Sequence, residues 1–314
     1  IQDLNIWSDQ HEIKILLLII DQISNHHHRH HNFFDKIEKI LQTIKKEIKQ
    51  SLSNFDIFKI FKYNKRILLF LIREEIITID QNISSEMNKY INRHMKYNEY
   101  LLQSNDEITH EVLDKKRRIG ENDNHICELI RNDNINDFIT YVKKNNYPIN
   151  SLVKPSIFET NYFLCKNSST SLIEYATFFG SSQIFKYIYK NGCKITPYLW
   201  IYAIHGDDAE IFDILVQNKV EPPDKTYQRC IRELIMCHHN HLYEYIINNI
   251  VNRNYEDYEN IDYDENYDDN IVLYSFKFVN FHFIPKVVPV KFIFFYAIEL
   301  GYFTLFKYIM SSCQ

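Results

Sequence analysis

The densest group of potential metal ligands is the run HHHRHH, which sets His26, His27, His28, His30 and His31 within six positions. Neighbouring imidazoles chelate borderline metals such as zinc. The same run also reads as a low-complexity spacer between two helices, and the spacer is the favoured reading. A second group is Cys230 with Cys237, His238, His239 and His241, four of them within five positions. A metal-binding protein built on the first run or on the 237–241 cluster is therefore the alternative reading of this chain. A Cys/His nucleophile pair needs a cysteine beside a base in a pocket. Cys127 and Cys230 instead fall on apolar helix positions, with no recognisable motif around either. The five glycines, at 120, 180, 192, 206 and 301, generate neither GxxxxGK[ST] nor GxGxxG, which excludes phosphate-loop chemistry. Asp207 and Asp208 form a carboxylate pair at a chain reversal, where solvated acids are ordinary. No catalytic, cofactor-binding or metal-ligating residue is assigned, and no cofactor or small-molecule substrate is expected.

Charged segments offer two further possibilities. Lys115, Lys116, Arg117 and Arg118 read either as a nuclear-import patch or phosphate contact, or as a solvated linker ahead of Gly120; the linker is favoured. Residues 254–270 (NYEDYENIDYDENYDDN) hold eight acids and no base. Such a stretch recruits a basic partner or accepts phosphate at Tyr255, Tyr258, Tyr263 or Tyr267, or else is an inert mobile insertion. The net charge is −5; residues 1–120 carry 19 Lys and Arg against 17 acids, and residues 121–314 carry 17 against 24. Outside the acidic stretch the second half is close to neutral, so no nucleic-acid footprint is expected. Six cysteines without CxxC spacing or a signal peptide imply reduced thiols and a cytoplasmic location, or a nuclear one if the 115–118 run is an import signal. No membrane span is expected: the apolar run 13–20 is short and contains Lys14, and the stretch 287–298 is broken by Pro289 and Lys291.

The elements that must position these residues are repeats. Residues 172–196 (LIEYATFFGSSQIFKYIYKNGCKIT) align without a gap over 126–150 (ICELIRNDNINDFITYVKKNNYPIN), matching Glu174 to Glu128, Tyr187 to Tyr141 and Asn191 to Asn145. A shift of 27 places Ala203 on Ala176, Ile211 and Phe212 on Ile184 and Phe185, and Asn218 on Asn191. A shift of 58 places Leu242, Tyr245, Ile246 and Asn249 in the same frame, with His238 at the position of Gly180 and Cys230 at that of Leu172. A shift of 121 repeats Tyr296-Ala297, Gly301 and residues 305–309 (LFKYI). Each unit reads as a short helix, a reversal near Gly180, Gly206 or Gly301, and a second helix closed by Asn191-Gly192 or its equivalents. One such pair cannot bury its apolar face alone, so neighbours must stack.

These residues resemble the ankyrin repeat. The segment from Thr170 to Ala176 follows the family's Thr-Pro-Leu-His opening, with Ser171 for Pro, Ile173 for His and Tyr175 for the first Ala. Residues 116–133 (KRRIGENDNHICELIRND), 154–160 (KPSIFET), 171–185 (SLIEYATFFGSSQIF) and 199–206 (LWIYAIHG) look like the large uncharacterised ankyrin families of trichomonad protists. The resemblance covers most of residues 55–314. It implies an all-α, ankyrin-type helix-pair solenoid with degenerate repeats over 119–314. A helical N-terminal region at 1–118 would precede it, and the acidic insertion would occupy 252–270. It also implies a non-enzymatic scaffold for an unidentified protein partner, held by the inter-repeat tips and the concave face of the first helices. The tips are 146–150, 192–198 and 220–226. The candidate contacts are Glu174, His205 and Asp207 on first helices or their turns, and Lys194, Glu221 and Asp224 at tips.

Three segments complete the reading. Residues 55–80 form a further degenerate unit, with Ile67, Leu68, Leu71 and Ile72 at second-helix positions and no glycine at the turn. The apolar residues at 33, 34, 37, 40, 41, 44, 48 and 52 mark one face of an amphipathic helix, expected to pack on residues 55–100 rather than on a partner helix. Residues 271–285 are expected to supply a partial repeat that keeps the stack continuous. The last unit stops at Gln314 with Leu305, Phe306 and Ile309 on its outer face, the expectation being either a longer native chain or an exposed binding or aggregation face.

Overall fold

The computed structural model describes residues 10–26, 33–91, 107–167, 169–251, 265–283, 295–296 and 298–302. Most of the histidine run, residues 252–264, and Leu305, Phe306 and Ile309 lie outside the described residues. Among the described residues the protein is all-helical, with 17 α-helices and a lone bridge between Leu152 and Ser171. The first eight helices are α1 (Gln10–His26), α2 (Phe33–Thr43), α3 (Lys45–Ser51), α4 (Asn54–Phe61), α5 (Lys65–Arg73), α6 (Gln81–Ile91), α7 (Glu107–Ile119) and α8 (His125–Arg131). They are followed by α9 (Ile135–Lys144), α10 (Tyr162–Lys166), α11 (Leu172–Phe178), α12 (Ser182–Lys190), α13 (Leu199–Gly206) and α14 (Ala209–Gln217). The last three are α15 (Gln228–Cys237), α16 (Asn240–Ile246) and α17 (Glu265–Lys277). Contacts group the chain into two compact units, Ile1–Leu129 with Ser151–Ser171, and Ile130–Asn150 with Leu172–Gln314.

In the first unit one apolar cluster runs from Ile13 and Leu17 of α1 through Ile37, Leu41, Phe58, Phe61 and Leu71 to Met87 of α6. The 33–52 face packs into this cluster, as expected, but as two helices: the chain breaks between Thr43 and Lys45, and Ile44 stays buried at the break. The expected pair at 55–80 is α4 and α5, with Ile67, Leu68 and Leu71 buried. Ser53 caps α4, accepting from the Asp56 N–H, and Asn64 caps α5, accepting from the Ile67 N–H at 3.2 Å. Asn64 also donates to Ser24 Oγ (2.6 Å) and Asp21 Oδ1 (3.3 Å), so a buried polar group ties α1 to the α4–α5 turn. Burial drives the Asp21 carboxyl up to about 7, and the amides of Asn64 and Asn25 only partly oppose this.

The run 115–118 is the last turn of α7, not a linker, because basic residues suit the negative end of a helix. Lys116 pairs with Asp123 at 2.8 Å and lies over the Phe158 ring, and Arg117 is buried. The four cations therefore do not present one exposed patch. Gly120 follows with φ +68, and its carbonyl accepts from the Thr160 N–H and hydroxyl.

The second unit is built from helix pairs in two rows. In one row α11 packs on α13, α13 on α15 and α15 on α17; in the other α9 packs on α12 and α12 on α14. Pairs α11–α12, α13–α14 and α15–α16 also pack within themselves. The row of first helices is the drier one, and all eight residues of α13 are buried. Its neighbours on both sides explain why LWIYAIHG is apolar on every face.

The turn after each first helix carries one left-handed residue: Asp133 (φ 46), Gly180 (φ 63), Asp207 (φ 49), His238 (φ 56) and, after α17, Val279 (φ 57). The sequence frame places two of these turns correctly, Asp207 by its shift of 27 and His238 by its shift of 58, but Gly206 is not the turn residue. Gly206 ends α13, where an added Cβ would stand 2.1 Å from the Thr177 carbonyl oxygen. It is glycine because two backbones approach there, and Asp207 bears the left-handed turn.

Second helices end alike. Asn145, Asn191, Asn218 and Asn249 each donate a side-chain N–H to the carbonyl four residues back. Asn146, Gly192 and Lys219 then take positive φ, and the next N–H bonds back to Val142, Ile188 or Leu215. Glu75 (φ 55) and the Ile76 N–H bonded to the Leu71 carbonyl repeat this ending after α5.

The α17 helix corrects the expected 252–270 loop, since residues 265–270 are helical. They open the helix with acids, which its positive end favours. The following residues through Lys277 belong to the same helix, with Ile271, Val272 and Phe276 buried, so the expected partial repeat occupies a place in the first-helix row.

Candidate functional site

The Cys237–His241 group does not converge on one point. Each side chain reaches a different element. The Cys237 thiol turns inward to His205 Nδ1 at 3.4 Å, and His238 Nε2 donates to the Phe278 carbonyl at 2.9 Å. His239 Nδ1 lies 3.3 Å from Asp207 Oδ2, and His241 Nε2 donates to Asp207 Oδ1 at 2.9 Å. Among the described residues no group of three or more His, Cys, Asp or Glu side chains is arranged to hold a metal ion. Cys230 is buried on α15, as its place in the repeat frame predicts.

These contacts follow one rule. The polar turn residues Asp133, Asp207 and His238 of one pair reach the next element of the row. Asp133 accepts from the backbone N–H groups of Gln183 and Ile184 at 3.1 and 3.0 Å, capping α12. Asp207 holds His239 and His241 at the start of α16. His238 reaches Phe278 just after α17. The residue after the turn reaches back to the preceding pair: Ser181 Oγ donates to the Ile130 carbonyl, and Asn280 Nδ2 donates to the Ile235 carbonyl. Partial burial would raise the Asp207 carboxyl, but the two imidazoles outweigh it and hold the group below its ordinary range.

Sequence reasoning missed the most chemically suggestive contact. His205 stands between Cys237 and Glu233, with Nε2 3.4 Å from Glu233 Oε2 and the ring stacked on Phe178 at 5.0 Å. Thiol, imidazole and carboxylate in that order form the layout of an activated cysteine. The electrostatics run the other way. Burial pushes the Cys237 thiol well above its usual range, and the charges of Glu233 and Asp207 push it further. At 3% exposure Cys237 is closed to solvent, so this cluster is a polar seam inside the first-helix row. The signal for it was the apolar surround of His205 in α13, which leaves no solvated face for an imidazole.

The six expected contact residues divide accordingly. His205 is a correction: it is 3% exposed, because α13 is covered by α11 and α15 on its two sides. Lys194 and Glu221 are exposed at tips, and Glu174 is half-buried in the first turn of α11. Asp207 is committed to His239 and His241. Asp224 turns its Oδ2 to the Arg229 N–H (2.7 Å) and the Thr226 hydroxyl (3.2 Å), which fixes the approach to α15. Of the tip segments, 192–198 is exposed except at Cys193 and Ile195, while 220–226 has Pro222 buried.

Beside Asp224 a cleft of about 360 Å³ opens between α15 and α17, lined by Gln228, Arg229, Ile231, Arg232, Ile271 and Tyr274. Arg232 lies over the Tyr274 ring at 5.3 Å, and Arg229 over the Tyr198 ring at 5.4 Å.

The geometry thus defines an all-helical protein of paired helices joined by polar cross-links. No helix among the described residues is long and apolar enough to cross a membrane. No protein-family description matches the sequence, and neither a curated protein nor a solved structure does.

Proposed function

We propose that the second unit is a degenerate ankyrin-type stack and that the chain is a non-enzymatic scaffold whose tips and first-helix row bind a partner protein. The observation that carries this reading is the cross-pair regularity. Two rows of helices recur with the same left-handed turn, the same asparagine-capped ending and the same turn-to-next-pair hydrogen bonds. A stack of this kind is quasi-one-dimensional, so it spends its apolar faces on neighbours and leaves its tips and the exposed residues of first helices such as α15 for recognition. The buried, protonated Cys237 and the scattered histidines support a structural rather than a chemical role for the residues that look reactive.

The test begins with affinity capture on the full chain and mass spectrometry, then measures the captured partner as a purified protein. Substitution of the exposed tip residues, K194E and E221K, is expected to weaken that partner by about tenfold together, while the exposed K59E on α4 leaves it unchanged. Unchanged affinity for both tip variants would remove the tip-based reading.

A further inference from the structure

The cleft between α15 and α17 has the composition of a recognition site, and its charge names the occupant. Arg229 and Arg232 are three residues apart on α15, so both project from one helix face, and both are exposed. Each guanidinium lies over a tyrosine ring, Tyr198 at a tip on one side and Tyr274 of α17 on the other. The result is a continuous stripe, Tyr198–Arg229–Arg232–Tyr274. Tyrosine and arginine are the side chains enriched at interface hot spots. A guanidinium resting on a ring is held in place while its N–H edge stays available for hydrogen bonding, so it meets a carboxylate with little ordering cost. Among the described residues neither guanidinium is in an ion pair.

Beneath the stripe, Ile231 and Ile271 are almost fully buried and give the cleft an apolar lining. The acid described at the cleft is Asp224, whose Oδ2 is already engaged by the Arg229 N–H and the Thr226 hydroxyl. Two cations against one carboxylate make the described lining of the cleft net positive within a chain whose net charge is −5.

We infer that this cleft binds a short acidic peptide segment of a partner protein, with carboxylates on Arg229 and Arg232 and an apolar side chain between them over Ile231 and Ile271. This rests on the scaffold reading and specifies the chemistry of its partner. The volume is within the range of sites that enclose a few side chains rather than a whole domain.

The test uses the full chain and fluorescence anisotropy of a short fluorescein-labelled peptide of alternating Glu and Leu. The Gln-Leu counterpart is expected to bind at least about tenfold more weakly, and the Glu-Leu affinity is expected to fall as salt rises, because both contacts are solvent-edge charges. The reversal R229E/R232E is expected to lose the Glu-Leu peptide and to gain a Lys-Leu one. The milder R229Q/R232Q, checked for unchanged circular dichroism, is expected to lose the first without gaining the second. Equal binding of the Glu and Gln peptides, or indifference to both arginine variants, overturns the assignment. Equal displacement by an oligodeoxynucleotide of matched charge also overturns it, since the surface would then be a general polyanion site. If K194E or E221K, and not the arginine variants, abolishes Glu-Leu binding, the cleft assignment falls while the scaffold reading stands.

Discussion

Replacing Gly206 by alanine separates two explanations of why glycine occurs there. If Gly206 served the turn, alanine would add only the cost of a strained left-handed backbone, about 1–2 kcal/mol. In the structure Asp207 already bears that conformation, and Gly206 lies in the last turn of α13. The new methyl carbon would stand 2.1 Å from the Thr177 carbonyl oxygen and 3.1 Å from the Gly180 nitrogen. Both are backbone atoms at the end of α11, so no side chain can rotate away. Relief requires α11 and α13 to part by about 1 Å, which opens the interface where Phe178 stacks on His205. Overpacking that cannot relax through a side chain belongs at the upper end of its range, about 3 kcal/mol or more. Gly192 supplies the internal standard: φ is +95 and a Cβ meets nothing within 4 Å, so G192A carries the backbone strain alone, about 1–2 kcal/mol. Urea titration followed by circular dichroism measures both, and hydrogen exchange over α11 to α13 detects local opening, since stacked pairs can lose one interface before the rest unfolds. If G206A costs no more than G192A, the close approach of the two backbones is refuted.

Asp21 makes stability depend on pH in an unusual direction. With a pKa near 7 in the fold against 3.8 for the ordinary carboxyl, the folded state keeps a proton that the unfolded chain releases. Stability should fall as pH rises from about 4 to about 7 and level off above, by an amount on the order of 4 kcal/mol. D21N keeps the acceptor for Asn64 and should flatten that limb and melt higher than wild type at pH 8; superimposable pH curves would contradict this. Thiol labelling with Ellman's reagent should find Cys193 the fastest of the five described cysteines. Cys127, Cys230 and Cys237 are buried, and burial pushes the Cys165 thiol up to about 12. Rapid reaction of Cys237 in native protein would show that the polar seam opens to solvent.

The repeat frame was legible because its punctuation is local. Asn191 and its equivalents Asn145, Asn218 and Asn249 bond within their own helix ends, so the same residue recurs wherever the same ending recurs. The left-handed turns at Asp207 and His238 were legible as positions, through the shifts of 27 and 58 that set them on Gly180, but not as residue types; the gapless alignment sets Asn134 on Gly180, one residue past Asp133, and no shift reaches Val279. His205 was misplaced for a different reason. Its exposure is decided by helices on both sides, 27 to 32 residues away in sequence at Phe178 and Cys237; the apolar surround within α13 signals burial but does not identify these partners. The break at Ile44 and the helical start at Glu265 were hidden likewise: a continuous apolar stripe continues across two helices, and acidity that suggests disorder also suits a helix N-terminus.

Why residues of reactive type accumulate here without forming a reactive site follows from the stacking itself. Each pair must be registered on the next, and apolar faces alone specify that register weakly. A turn residue with a polar side chain supplies direction, because its hydrogen-bond partner on the next pair lies at one phase of the stack only. Asp133, Asp207 and His238 are spent in this way, and His205 is spent inside the row between Cys237 and Glu233. Gly180 has no side chain to spend, and there the neighbouring Ser181 reaches the Ile130 carbonyl instead. Among the described residues of the first-helix row, Arg229 and Arg232 are exposed and outside ion pairs, and for that reason the proposed recognition site lies there rather than at the histidines.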